Sequence, residues 1–325
     1  MAKYLLGVLS GFVLAVLVGL AILMAAVMIE SAEPALPSDA VLEIRLSGPL
    51  PEHMPTDFSL AFLESGMPPT LLQIRNAFKK AANDDRIRAI VLRCGGLAAG
   101  WGKAQEIRWA IEQFKESGKP VVAFLQVGGS LDYLIASAAD QVFLTPEGVL
   151  DVKGLRAEVS FYKDTLQKLG VAAELHQIGK YKAAAEPWVH SSMSDAFREV
   201  LNSMLDEVYG QFLEAVGASR GKSVEELAAI LDNGPFTPRE ALEAGLVNDL
   251  YYEDEFFDAL RQQLGLEDLE RIRFSRYRNV SLASLELSGE HRIAIVYAIG
   301  NILRGSNETE PFFGANILGS DNLPL

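Results

Sequence analysis

Between residues 40 and 150 the apolar positions follow two alternating periods. "AVLEIRLSGPL" (40–50) alternates apolar and polar residues and closes on Gly48 and Pro49, which predicts a strand. "TLLQIRNAFKKAANDD" (70–85) carries Leu71, Leu72, Ile74, Ala77, Phe78 and Ala81 on one helical stripe, with Asn83–Asp85 as the stop. "IRAIVLRCGG" (87–96) is a buried strand ending in two glycines, and "KAQEIRWAIEQFKESGK" (103–119) is an amphipathic helix with Gly118 at its end. "PVVAFLQVGG" (120–129) reads as the next buried strand, "SLDYLIASAAD" (130–140) as a helix of small residues, and "QVFLTPEG" (141–148) as a strand running into a turn. Strands and helices in this order predict a parallel sheet covered by helices. Such sheets present their chemistry at the C-terminal ends of the strands, where "CGG" (94–96) and "VGGS" (127–130) fall.

The texture changes after Gly154. "FYKDTLQKLG" (161–170) predicts a helix capped by Gly170, and "VAAELHQIG" (171–179) a strand. A long helix follows over 193–221, with Met193, Phe197, Val200, Leu201, Met204, Leu205, Val208 and Phe212 on one side, and three shorter helices over 223–265. "HRIAIVYAIGNIL" (291–303) then repeats the alternation and closing glycine of 40–50, which reads as the opening strand of a second copy of the domain. One strand cannot bury its own face, so that second copy is expected to be incomplete at Leu325, unless the strand pairs with the first sheet.

At the other end, no residue from Tyr4 to Ile29 is charged. This exceeds the roughly 20 residues that span a bilayer core and the apolar core of a cleaved signal peptide. A transmembrane anchor is expected over 1–30, with Lys3 before it setting the N-terminus in the cytoplasm and the body on the far side of the inner membrane. Gly7, Gly11, Ala15 and Gly19 line one face with small residues, a surface on which helices approach closely. "SAEPALPSDA" (31–40) is a linker, and Pro49, Pro51, Pro55, Pro68 and Pro69 mark a loop. The domain reading is therefore anchor 1–30, linker 31–39, a first half over 40–288 with a helical part at 155–265, and the start of a second half over 289–325.

Net charge −14 and a pI near 4.8 argue against a nucleic-acid surface. A single cysteine, Cys94, forms no intramolecular disulfide. His53, His176, His190 and His291 are far apart, so no metal set is expected, and no cofactor is implied.

"GKYKAAAEP" (179–187) sets Lys180 and Lys182 against a run of alanines. A surface lysine is the ordinary reading. The other is a lysine that works neutral: burial among small apolar side chains disfavours the ammonium and can lower its pKa by several units, enough for a general base.

"RIRAIVLRCGG", "ESGKPVVAF", "YLIASAADQVFLTPEG", "GKYKAAAEPW" with "MSDAFRE", and "FTPREALEAGLVND" together resemble the signal peptide peptidase A (protease IV) family, in its long form of two homologous halves after one anchor. The resemblance covers most of residues 40–260. It implies an α/β fold of the Clp protease/crotonase-like type, built from a spiral of β-β-α units. It also implies a serine endopeptidase with a Ser–Lys dyad that degrades cleaved signal peptides beside the membrane, as a homo-oligomer. By its motif the base maps to Lys182, with Lys180 as a surface neighbour. The serine of short members maps to Ser130, ten residues before Asp140, but Leu131 and Asp132 stand where those members carry two glycines. In long members the second half supplies the working serine, which here falls beyond Leu325. Ser130 is thus either the nucleophile or a helix N-cap. Two other classes remain open: a crotonase-like enzyme acting on thioesters, with backbone donors near Gly95, Gly96, Gly128 and Gly129, and a non-catalytic scaffold half.

Overall fold

The computed structural model describes residues 36–52 and 68–287, a few isolated positions, and the backbone of 301–303 and 317–319. Most of the expected anchor, the proline-marked stretch 53–67 and most of 288–325 lie outside the described residues. Among the described residues no helix is long and apolar enough to cross a membrane. Contacts divide the chain into two units, Met1–Leu285 and Glu286–Leu325.

The first unit opens with β1 (Ala40–Pro49), α1 (Leu71–Ala82), β2 (Ile87–Ala98), α2 (Trp101–Lys115), β3 (Val121–Gly129), α3 (Ser130–Ala136) and β4 (Gln141–Asp151). It continues through α4 (Lys163–Lys168), α5 (Glu186–Val189), α6 (Asp195–Arg220), α7 (Val224–Leu231), α8 (Pro238–Glu243), β5 (Asp249–Leu250), α9 (Glu253–Gln263), β6 (Glu270–Arg273) and α10 (Phe274–Tyr277). Six strands form one sheet in the order β5-β4-β3-β2-β1-β6, and every neighbouring pair is parallel. This is a parallel α/β fold. In the second unit β7 (Asn301–Leu303) pairs in parallel with β8 (Ile317–Gly319) as a separate two-stranded sheet.

Strand periodicity sorts the core into two layers. Leu42, Ile44 and Leu46, Ile90 and Leu92, Ala123 and Leu125, and Val142 and Leu144 pack against α1, α2, α3 and the C-terminal part of α6. The intervening Val41, Ala89, Val91, Val122, Phe124 and Phe143 pack under Phe256 and Leu260 of α9. Helix α1 starts where Thr70 and Gln73 form a reciprocal capping box, each side chain bonding the other's backbone N–H.

Three elements differ from the sequence expectation. Residues 171–180 form no strand and are exposed throughout, Ile178 at 92%. Alternation marks a segment able to pair; within these residues nothing pairs with it. The helix expected to run to Asp140 ends at Ala136. Strand β4 continues past the expected turn to Asp151, through a register shift against β3 between Leu125 and Val127.

Asp84 closes the far end of the sheet. Only 2% exposed, it accepts bonds from the Arg86 backbone N–H at 3.1 Å, from Arg86 Nε at 2.8 Å and Nη2 at 2.9 Å, and from the Tyr277 hydroxyl at 3.1 Å. Burial alone pushes its carboxyl up, but the Arg86 bonds and charge, with the Tyr277 hydroxyl, hold it below the usual range. A depressed carboxyl stabilises the fold fully above its unfolded pKa of about 3.9 and less as pH falls through the folded value. Melting temperature followed against pH should therefore decline below about pH 4. In Asp84→Asn the decline should be shallower, from a lower plateau at neutral pH; parallel curves for the two proteins would show that Asp84 is not the group titrating.

Candidate active site

The lysine segment sits in an excursion between β4 and α6 that is pinned at its base. The Tyr162 N–H donates to the Pro187 carbonyl at 2.7 Å, and the Tyr162 and Trp188 rings stack with centroids 5.0 Å apart. Glu186 is 3% exposed and accepts from the Ser194 N–H at 3.1 Å and the Ser194 hydroxyl at 2.7 Å. The same hydroxyl accepts from the Phe197 N–H at 3.1 Å and so caps α6. This accounts physically for "EPW" followed by "MS": the carboxylate orients the cap, and the cap fixes where the long helix begins. The sequence showed the motif but not that Glu186 is its buried tie, nor that Tyr162 takes part.

Above that base the chain turns at Gly179, whose φ of 104° lies in the left-handed region that favours glycine, and the Lys182 N–H donates to the Gly179 carbonyl at 3.3 Å. Ala183 is buried, while Ala184 and Lys182 are exposed. The alanines therefore do not bury Lys182 within these residues. The reason is geometric: 171–182 face outward and no described element packs over them. No described side chain pairs with the Lys182 ammonium. Lys180 differs. Its Nζ donates to the Tyr181 hydroxyl at 3.2 Å and to Glu199 at 3.3 Å, and the two contacts raise its pKa in that order.

Ser130 lies at the other candidate position. It is the first residue of α3, half-buried, and its hydroxyl donates to the Lys153 carbonyl at 3.4 Å. The cap of α3 is Gly129, so Ser130 is not the N-cap that the sequence allowed. Helix α3 is held firmly: the Tyr133 hydroxyl donates to the Leu246 carbonyl, and buried Arg108 donates to the Leu134 carbonyl and the Ser137 hydroxyl. Burial pushes Tyr133 up to about 12. No contact joins Ser130 to Lys182 among the described residues.

The expected backbone donors are present at the strand ends, and they are in use. The N–H groups of Gly96, Leu97 and Gly129 each donate to the carboxylate of Asp132 at 3.1 Å. Beside them, burial and the Asp132 charge push the Cys94 thiol far up, which disfavours the reactive thiolate.

Residues 113–267 match Peptidase family S49. The match spans both candidate residues, Ser130 and Lys182. The serine protease SPPA, chloroplastic, of Arabidopsis thaliana is 32% identical over 82% of this chain and 39% of its own length. Protease 4 of Salmonella typhi is 32% identical over 73% of this chain and 40% of its own. The chain thus spans about two fifths of the length of these relatives. Among solved structures, a membrane-bound stomatin-specific protease overlays 73% of this chain and 98% of its own at 13% identity and a TM-score of 0.40, a likeness too loose to bear on chemistry.

Proposed function

We propose that this chain is the lysine-bearing half of a membrane-anchored serine endopeptidase of the signal peptide peptidase A type, with the Clp protease/crotonase-like form of the parallel α/β fold. The observation that carries the reading is the "GKYKAAAEPW" loop, whose Lys182 has no partner among the described residues, lying inside the S49 match. Lys182 is the base for a serine supplied from outside the first half, by a second half or a second copy. The cover that such a partner brings over 171–182 removes water from the ammonium and favours the neutral amine. The amine then takes the proton of the serine hydroxyl as it attacks the peptide carbonyl, and returns it to the departing amine. Water next attacks the acyl ester, with the same lysine again taking the proton. The exposed apolar positions Val171, Leu175 and Ile178 support assembly with a partner in a homo-oligomer.

The uncharged span 4–29 anchors the protein in lipid of the inner membrane with its body on the periplasmic side. Its substrates are then extended apolar peptides released beside the membrane, cleaved signal peptides above all. A fluorophosphonate applied to the protein in its own membrane tests both parts. A serine should become labelled as peptide hydrolysis is lost, and protease added outside spheroplasts should digest the labelled body. Peptide hydrolysis that continues with no serine labelled would overturn the serine mechanism. Turnover of acyl thioesters without labelling would favour the crotonase reading. A body fully protected in intact spheroplasts would overturn the orientation.

A further inference from the structure

Three backbone N–H groups from two strand ends converge on one side-chain carboxylate. Gly96 and Leu97, near the end of β2, donate to Oδ2 and Oδ1 of Asp132, and Gly129, closing β3, donates to Oδ2, all at 3.1 Å. Asp132 is 5% exposed, and no lysine or arginine among the described residues pairs with it. Its charge is compensated by oriented peptide dipoles, the arrangement of an anion nest. Gly96 makes the nest possible. Its φ of 71° lies in the left-handed region and turns two successive N–H groups toward one point, which a residue with a Cβ does only under strain. Gly95 beside it has no room for a side chain without crowding, since a Cβ would stand 3.1 Å from the Val127 carbonyl oxygen.

Two donors on a single oxygen, at the C-terminal ends of adjacent parallel strands, form the geometry that holds a developing oxyanion in acyl transfer. We infer that Asp132 is a resident anion that fills this pocket from within. Ser130 lies two residues earlier, at the start of the same helix, and the Gly129 N–H next to it is already taken. A carbonyl brought to Ser130 finds the Gly96, Leu97 and Gly129 donors occupied. This pocket is closed to oxyanion chemistry by the Asp132 side chain, and it takes a small carboxylate once that side chain is removed. This reading stands whether or not the protein is a peptidase.

The test is Asp132→Gly in the full chain, with formate as the probe. In the variant the amide resonances of Gly96, Leu97 and Gly129 should move and the melting temperature should fall. Formate should bring the three amides back toward their original positions and recover roughly half or more of the lost stability, while wild type does not respond. No response of those amides to formate in a folded Asp132→Gly overturns the pocket. If the glycine variant does not fold, Asp132→Asn takes its place. It keeps the shape and one acceptor oxygen, so the same three amides should shift more than the rest and formate should change nothing. Unmoved amides in that variant overturn the proposal as well. Fluorophosphonate labelling of Ser130 in wild type would show a working oxyanion site and overturn it independently.

Discussion

Lys182→Ala is expected to lower peptide hydrolysis by roughly 10²–10⁴-fold, the usual contribution of a positioned general base. Melting temperature should hardly change, because the Lys182 side chain is exposed and has no partner among the described residues. Lys180→Ala should keep activity within about twofold, since it removes only an exposed contact with Glu199 and Tyr181. The contrast is the test. Both lysines belong to one loop, so a general disturbance of that loop would depress the two variants alike, and equal losses would remove Lys182 from the mechanism. The fall should lie in kcat rather than KM, because the base acts on the proton of the nucleophile and not on substrate affinity.

The second large effect concerns stability. Phe256 of α9 is fully buried, with ring centroids 4.9 Å from Phe124, 5.4 Å from Phe143 and 4.9 Å from Phe257. The second core layer is a small cluster, and this ring is its centre. Phe256→Ala removes the packing of that ring and leaves a cavity walled by rigid strands that cannot collapse into it. The expected cost is about 3–5 kcal/mol, on the order of 10 °C in melting temperature for a domain of this size. Phe256→Leu should recover more than half of it. A cost for the alanine variant below about 1 kcal/mol would mean that α9 does not hold this face.

The main frame was readable from the chain because its signals are local. Period-two sorting of Leu42, Ile44 and Leu46 from Val41, the apolar stripe from Leu71 to Ala81 and the glycine-ended strands all follow from neighbours a few residues apart. What escaped reading depends on partners far along the chain. Segment 171–179 has the alternation of a strand, but alternation does not supply a neighbour. Strand β6 went unread because Arg271 and Arg273 flank its one buried residue, Ile272, and disguise it as a polar linker. At the candidate site, the replacement of a glycine by Asp132 was plain in the sequence. Its meaning was not, because the three donors come from residues 96, 97 and 129, and only the sheet brings them together. The position of Lys182 came from its motif, whereas the alanines beside it do not bury it: among the described residues its side chain is exposed.

Strand β1, the first of the sheet to be synthesised, lies between β2 and β6. Glu43 on β1 meets Arg271 on β6 at 2.8 Å, 228 positions later in the chain. At about 5–20 residues per second, a ribosome that has released β1 needs roughly 10–45 s more to deliver its last neighbour. Throughout that interval the outer edge of β1 offers unpaired N–H and C=O groups to any passing strand. The tempo of translation, and any chaperone that shields an open edge for that long, therefore bear on the yield of correctly folded protein in a way that equilibrium stability does not register.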